Sequence, residues 1–575
     1  MSANLFRIVL IVDGEYISAW QSLMLERLQA SGGGVLVAVI FRQPLASGIE
    51  KKINFFLFRV LHFLDGKIFK APVNAQKPVS FLDQLGDVFF CAANSRRYQK
   101  LLKEQTLDVA IDLTGQEPLS AVIASVRYGV WRYFHGYPAA MMDCYVGIRE
   151  YANREDEIIS GVERSLPSQS VPERIFYATT STDMVSINRG IESTLWKMAD
   201  FIPQRLSELA QVGESLFFQN ASARLRQFPF AQQYASSPPG LLMTLRVLWR
   251  YLSNFIRKLY NSLFRNEQWI LLTSEAGDAS SLCMLGHFRK LIPSRDRFWA
   301  DPFVVEHEGE QYVFFEELVY ANGVGHLACI RLNADGSYSD PVTILEKPYH
   351  LSYPFIFKYQ GQYYLIPETA ENHTIEVYRC EAFPYRWVFE KNLMENVEAY
   401  DSTLLEHAGR WWMFVSMRNH QSCSPSEALY LFYADNPLST QWHAHPQNPV
   451  VARASHARPG GGIFEEGGRL YRPSQNCAGV YGRGLNINLI RQLDTSTYRE
   501  ETVSRYVPDG ANDMNGVHTL GLGEKISVSD AVHIHRRLGM LDRWVVKLSS
   551  FFNYAGHRQI LVVVAIPLAW LWFHI

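Results

Sequence analysis

The chain has 575 residues, 47% of them hydrophobic and 19% charged, with a formal net charge of −2 at pH 7. Such a composition excludes a disordered chain, and the near-neutral charge excludes the Lys/Arg excess of a nucleic-acid-binding surface. The seven cysteines (Cys91, Cys144, Cys283, Cys329, Cys380, Cys423 and Cys477) are odd in number and scattered, with no C-x-x-C or zinc spacing, which fits a reducing, cytoplasmic compartment and gives no metal site.

Residues 1–215 read as an α/β domain. The N-terminal FRIVLIVD (6–13) is a continuous apolar run that stops at Asp13-Gly14 with no small-residue cleavage site behind it, so it reads as a buried strand and not a signal peptide. A helical stretch follows at 19–30, SGGG (31–34) ends it, and VLVAVIF (35–41) is a second strand. LDVAIDLTG (107–115) is a later strand closing on a glycine turn. Strand, helix, strand in this order predicts right-handed crossovers and a parallel sheet. Neither GxGxxG nor a P-loop is present, so no cofactor is indicated.

Residues 216–267 read as a linker. SSPPG (236–240) breaks the chain, and LLMTLRVLWRYLSNFIRKLYNSLFRN (241–266) then repeats apolar residues at helical spacing with only positive charges among them. A basic amphipathic helix suits an anionic membrane surface; packing between two domains is the alternative.

Residues 268–535 contain a repeat. ADPFVVEHEGEQYVFFEE (300–317), YPFIFKYQGQYYLIPE (353–368), DSTLLEHAGRWWMFVS (401–416), RPGGGIFEEGGRLYRPSQ (458–475) and GVHTLGLGEKISVSDA (516–531) each read as strand, glycine turn, strand. Their leading residues, Asp301, Tyr353, Asp401, Arg458 and His518, are separated by 52, 48, 57 and 60 residues. A hairpin recurring at that interval predicts a propeller with one four-stranded blade per period, five in all. Equivalent positions face one axis, so these five residues are candidates for the floor of a central funnel. Glu316, Glu368, Ser416 and Ser474 end the second strand of four hairpins. Asp301, Asp401 and Glu368 are the candidate catalytic set, since carboxylates serve as base, electrostatic stabiliser and acid at an anomeric carbon. Tyr353, Glu316, Arg458 and His518 are the candidate substrate-binding set, with Arg458 suited to an anionic group.

ADPF, YPF and DSTLLEHAGRWWMF resemble blades of five-bladed glycoside hydrolases of the arabinanase and fructosidase kind. ADPF with FFEE, PETAEN, and RPGGGIF with YRPSQNCAGVYG resemble more closely the N-terminal propeller of the plant glucosamine inositolphosphorylceramide transferases and bacterial relatives. The hydrolase resemblance implies a first-blade base or nucleophile at Asp301, with no clear match for the acid Glu of those enzymes; Glu465 and Glu466 fall in a turn. In the transferases a separate domain carries glycosyl transfer, and no such domain is read here. YGVWRYFHGYP (128–138) with GIRE (147–150) is similar to the formyltransferases that use formyl-tetrahydrofolate, which implies a Rossmann-like fold and a functional histidine at His135. Tyr133 stands where that family has asparagine, and SVPERIFYA (170–178) holds no aspartate.

The expected fold is therefore an α/β Rossmann-like formyltransferase-type domain followed by an all-β five-bladed propeller, with amphipathic helical segments. Residues 536–575 form a tail whose amphipathic stretch, 538–559, runs into the apolar ILVVVAIPLAWLWF. That run is shorter than the ~20 residues that span a bilayer. Together these features point to a carbohydrate-active transferase in surface polysaccharide or glycolipid synthesis, peripheral on the inner face of the cytoplasmic membrane, with a sugar or lipid-linked sugar as substrate. Glycoside hydrolysis, sugar N-formylation and glycan binding without turnover are the alternatives. HIHRR (533–537) reads as a helix start.

Overall fold

The computed structural model describes residues 5–43, 52–69, 74–85, 88–135, 145–167, 169–226, 240–275, 288–333, 335–509 and 513–536. The tail beyond 536 and part of the 128–138 motif lie outside these residues.

The N-terminal domain is built on a seven-stranded sheet. Five strands, Phe6–Val12, Gly34–Phe41, Phe89–Ala92, Val109–Asp112 and Val130–Phe134, run parallel. The purely parallel expectation is corrected at one edge, where the hairpin Glu157–Ser165 and Glu173–Ser181 adds two antiparallel strands. The central strands are mainly apolar because helices cover both faces. Helices Ala19–Ala30, Ile187–Met198 and Phe201–Val212 bury Trp20, Met24, Leu195 and Leu206 against one face. Helix Arg96–Glu104 packs Tyr98 and Leu101 against the other. The architecture is α/β.

Five four-stranded sheets follow, and they form a five-bladed propeller. Blade 1 runs through Arg297–His307, Glu310–Val319, Gly325–Leu332 and Val342–Leu345. Blade 2 spans Ser352–Glu395, blade 3 Ala399–Ala444 and blade 4 Phe464–Tyr506. Blade 5 is assembled from both ends of the repeat: Arg265–Glu275 pairs with Ile526–Arg536 over eleven residues, flanked by Arg289–Leu291 and Leu520–Leu522. This closure ties residues some 260 positions apart and locks the ring, leaving only the short outer edge of each blade unpaired. It also corrects HIHRR, which continues the strand Ile526–Arg536.

The inner hairpins of blades 1–3 turn on two residues with positive φ: Glu308-Gly309, Gln360-Gly361 and Ala408-Gly409. Both central positions of the two-residue turn that matches strand twist need the left-handed region, which is why glycine recurs there.

The two domains meet in a seam. Lys197 reaches across to Glu427 at 3.2 Å, and both side chains are buried. Arg205 donates to the carbonyls of Gln447 and Asn448 at 3.1 and 2.6 Å, and Trp196 stacks on His420 at 4.1 Å.

The segment expected to be a linker holds helices Glu214–Arg226 and Leu241–Phe264. The second is attached by its polar side. Thr244, Val247 and Arg250 are buried, the Tyr251 hydroxyl donates to Asp65 at 2.7 Å, and the Arg250 guanidinium lies 4.9 Å from the Tyr151 ring. Its apolar stripe faces outward: Leu242, Leu245, Trp249, Leu252, Ile256 and Tyr260 are each at least half exposed.

Candidate active site on the propeller axis

The innermost strands of blades 1–3 share one irregularity. Pairing breaks between Ala300 and Phe303, between Ser352 and Phe355, and between Tyr400 and Thr403. The first bulged residue in each case is Asp301, Tyr353 or Asp401, with φ of 52°, 46° and 56°. A non-glycine residue held there costs on the order of 1 kcal/mol, and three at equivalent positions mark a built floor. The bulge re-aims each side chain toward the axis, where alternation along a regular strand would have placed it differently.

Blades 4 and 5 complete the floor. Arg458 precedes the short strand Phe464–Glu466, and the chain from Pro459 to Gly462 stands in for the usual inner strand. Gly461 is required: a Cβ there would meet the Leu520 carbonyl oxygen at 2.0 Å. Arg458 donates to Asp401 from Nε and Nη2 at 2.6 and 3.1 Å, and from Nη2 to Glu368 at 3.2 Å. Gln475 adds a 2.8 Å bond to Asp401. Asp301 accepts the Thr519 hydroxyl at 2.7 Å, and its amide donates to Asp530 at 2.9 Å. His518 contacts Asp530 at 2.6 Å and lies 3.7 Å from Asp301. Glu316 is buried and paired with His350 at 3.2 Å. The Gly325 amide donates to His350 Nδ1, so the ring offers Nε2–H to Glu316.

Five carboxyl groups (Asp301, Glu316, Glu368, Asp401 and Asp530) thus share one buried region with Arg458, His350 and His518. Burial pushes Asp301 up to about 7, with His518 opposing and Asp401 adding to the shift. Burial likewise pushes Glu368 up to about 8, opposed by Arg458 and assisted by Asp401. For His518 burial acts downward, but Asp530 and Asp301 outweigh it and raise the ring to about 9. Burial and the neighbouring Asp401 thus favour the protonated form of Glu368, beside the Asp401 side chain that Arg458 clamps; an acid next to a held charge is an arrangement glycosidic chemistry can use.

Of the residues expected from sequence, Asp301, Glu316, Glu368, Asp401, Arg458 and His518 converge on the axis. Tyr353 is also there but fully buried: its hydroxyl accepts the Gly461 amide at 2.9 Å and pairs with Thr403 at 2.8 Å, and its ring meets Phe303 edge-on. Its hydroxyl is thus engaged with the floor itself. His135 ends the strand Val130–Phe134 in the α/β domain, in a different sheet from the axial group. Gln475, Thr519, Asp530 and Tyr481 were not anticipated. Tyr481, 47% exposed, stands at the rim with its ring 5.2 Å from the Arg458 guanidinium and 5.4 Å from His518.

Asp301, His518 and Asp530 bring one ligand atom each to within 4.8 Å of one another. Asp530 already accepts the amides of His518 and Thr519 at 2.9 and 3.1 Å besides that of Asp301. The trio is closed on itself by protein hydrogen bonds.

Residues 289–529 match the family described as glucosamine inositolphosphorylceramide transferase 1, N-terminal. Curated relatives agree: glucosamine inositolphosphorylceramide transferase 1 of Oryza sativa subsp. japonica is 33% identical over 226 residues, covering 38% of this chain and 30% of that protein. The protein of that name from Arabidopsis thaliana is 33% identical over 232 residues, covering 39% and 30%. The chain thus spans about a third of the length of the curated relatives it matches, and the match falls on the propeller. Among solved structures, a family 117 glycoside hydrolase of Zobellia galactanivorans is 10% identical, covering 46% of this chain and 90% of its own, with a TM-score of 0.31. The catalytic domain of Coprinopsis cinerea GH62 alpha-L-arabinofuranosidase is 13% identical, covering 46% and 97%, with a TM-score of 0.32. Likeness at that level says nothing about the site.

Proposed function

We propose that the propeller axis binds a sugar and that the protein is a carbohydrate-active transferase in glycolipid assembly, working at an anionic membrane surface. The observation that carries the reading is the buried floor in which Arg458 clamps Asp401 and Glu368 while Asp301 and Glu368 are held up toward neutral pH. The match of the propeller to transferases named for an inositolphosphorylceramide acceptor supports a lipid-linked sugar substrate. In this reading Glu368 is the proton donor, Asp301 the proton acceptor, Arg458 holds charge in place, and Tyr481 stacks on the ring.

The helix Leu241–Phe264 supports the membrane part. Its polar side is spent on the α/β domain, its apolar stripe faces out, and Arg246, Arg257 and Lys258 accompany it. Such a face lies in a headgroup layer and does not cross it. No helix among the described residues is long and apolar enough to cross a membrane. The inner face of the cytoplasmic membrane is the proposed location.

The test is glycolipid profiling of a deletion strain complemented with wild type or Asp301→Asn. Loss of one glycolipid species, restored only by wild type, supports the reading; an unchanged profile overturns it. Hydrolysis is the second reading, favoured by the protonated Glu368 beside Asp401: release of reducing sugar by the purified protein, lost in Glu368→Gln, would select it. A formyl-transfer role for the α/β domain rests on His135 and is tested by formate transfer from formyl-tetrahydrofolate to an amino sugar, lost in His135→Ala.

A further inference from the structure

A cleft of about 640 Å³ lies between the α/β domain and the outer edge of blade 4. One wall is the strand Glu173–Ser181 with the helix Glu214–Arg226; the other is the segment 449–456 with the outermost strand Tyr498–Tyr506. Five arginines line it: Arg224, Arg226, Arg453, Arg499 and Arg505. Its two carboxylates are already engaged. Glu500 takes Nε and Nη2 of Arg472 at 2.8 and 2.7 Å, and Glu501 takes Arg491 at 2.7 Å. The cleft is therefore left with a positive excess.

The arginines are not all spent on protein. Arg224 holds Glu208 through Nη2 at 2.9 Å, but its buried Nε and Nη1 have no hydrogen-bond partner among the described residues, and neither does the Nε of Arg499. Arg505 donates to Asn486 at 3.1 Å, and its Nη2 lies 3.4 Å from His456 Nε2. Burial, then the charges of Arg453, Arg505 and Arg472, push His456 well down, so its ring is neutral amid cations. Buried donors without acceptors are costly, on the order of 1–3 kcal/mol each, and guanidiniums gathered without an anion repel one another. An anion in the cleft removes the second of these penalties. Planar guanidinium forks match the oxygens of a phosphoryl group, and several together suit a dianion better than a single carboxylate.

We propose that this interdomain cleft is a binding site for a phosphoryl dianion, held by Arg224, Arg499 and Arg505. The site shares no residue with the propeller axis, so it stands whether or not the axial reading does. Because its walls come from both domains, an occupant would brace the seam between them. A soluble sugar phosphate and a phospholipid headgroup present the same chemistry.

The experiment uses the full chain. Calorimetric titration with inorganic phosphate and with glucose 1-phosphate tests the soluble source; flotation with phosphatidylcholine vesicles, alone or containing phosphatidic acid, tests the headgroup. Arg499 and Arg505 sit on a surface strand, so the double variant Arg499→Gln/Arg505→Gln retains the fold, which an unchanged unfolding midpoint without ligand checks. Arg224→Gln provides a second, independent loss. Expected is a bound soluble phosphate that raises the wild-type midpoint, with affinity at least tenfold weaker in both variants. If only phosphatidic acid vesicles bind, and the double variant loses the phosphatidic acid-dependent part, the headgroup is the source. The proposal is overturned if no probe binds or if the variants bind as wild type does.

Discussion

Buried charge is arranged differently in the two halves of this molecule. In the α/β domain and at its seam the ions pair off: Arg132 with Glu163 at 2.9 Å and Lys197 with Glu427 at 3.2 Å. On the propeller axis five carboxyl groups crowd around one arginine and two histidines. Pairs that neutralise themselves hold elements together and have nothing left for a ligand. A cluster whose negative groups outnumber its positive ones must keep some carboxyls protonated, and that stores an acid at neutral pH. The difference separates attachment from chemistry more clearly than burial does, since both sets are equally buried.

The largest expected effect breaks the cluster. Arg458→Gln leaves Asp401 and Glu368 buried without their cation and should cost about 4 kcal/mol in denaturant unfolding. The loss should grow with pH. Asp301 and Glu368 have folded values of about 7 and about 8, above their ordinary 3.8 and 4.5, so the folded state holds extra protons. Their contribution is complete below about pH 4 and is lost as pH rises to about 8. His518, raised from 6.5 to about 9, acts in the same direction: its contribution is complete below 6.5 and lost as pH climbs through 9. Wild type should therefore be more stable at pH 5 than at pH 9, Asp301→Asn should flatten the slope, and Arg458→Gln should steepen it. A slope that Asp301→Asn leaves untouched would contradict the cluster.

A somewhat smaller effect is expected at the seam. Lys197→Met strands Glu427, whose other partner is the Ser181 amide at 2.8 Å, at a cost of about 3 kcal/mol. Adding Glu427→Gln should recover part of it, since a self-contained pair can be replaced as a pair. The same logic fails on the axis, where Arg458 serves two carboxyl groups, so a compensating Asp401→Asn should recover less. Equal recovery at both places would erase the distinction. Tyr353→Phe is smaller again: it leaves the Gly461 amide without its acceptor and should cost about 1–2 kcal/mol, measured by thermal unfolding, with Thr403→Val adding little on top.

The propeller was the more legible half because each blade repeats locally. The x-Gly turns recur with the leading residue eight positions before Gly309, Gly361 and Gly409 and nine before Gly467, and that repeat grouped Asp301, Tyr353, Asp401 and Arg458, with His518 more loosely, on one axis before any coordinates. Blade 5 was the weakest reading because its long strand Arg265–Glu275 pairs with Ile526–Arg536, some 260 positions away; long-range pairing leaves no local trace. Gln475, Thr519 and Asp530 escaped notice for a related reason, since they act through neighbours brought in from other blades. Tyr353 was placed on the floor by the repeat, while its bonds to the Gly461 amide and Thr403 were not legible, because period fixes where a side chain sits and only packing decides what it touches. In the α/β domain the strands Phe6–Val12 and Gly34–Phe41 were evident from apolar runs, while the antiparallel hairpin at the edge was not, because a doubly covered strand reads the same whichever way it runs.

The helix Leu241–Phe264 gives the smallest effect on stability and the sharpest contrast of readout. Its amphipathic spacing was plain in sequence, but which side faces the protein was not. Had the apolar stripe been packed, Trp249→Glu would be a core lesion of several kcal/mol. With Trp249 63% exposed and Arg250 buried at Tyr151, the same change should alter unfolding by less than about 0.5 kcal/mol, as surface substitutions do. The effect should instead appear in flotation with vesicles containing phosphatidylglycerol, where Trp249→Glu with Leu252→Glu should reduce the bound fraction several-fold and Arg246→Gln more modestly, the latter vanishing at high salt. A double variant that unfolds readily would mean the stripe is covered by protein; one that folds and still floats like wild type would remove the membrane from the proposal.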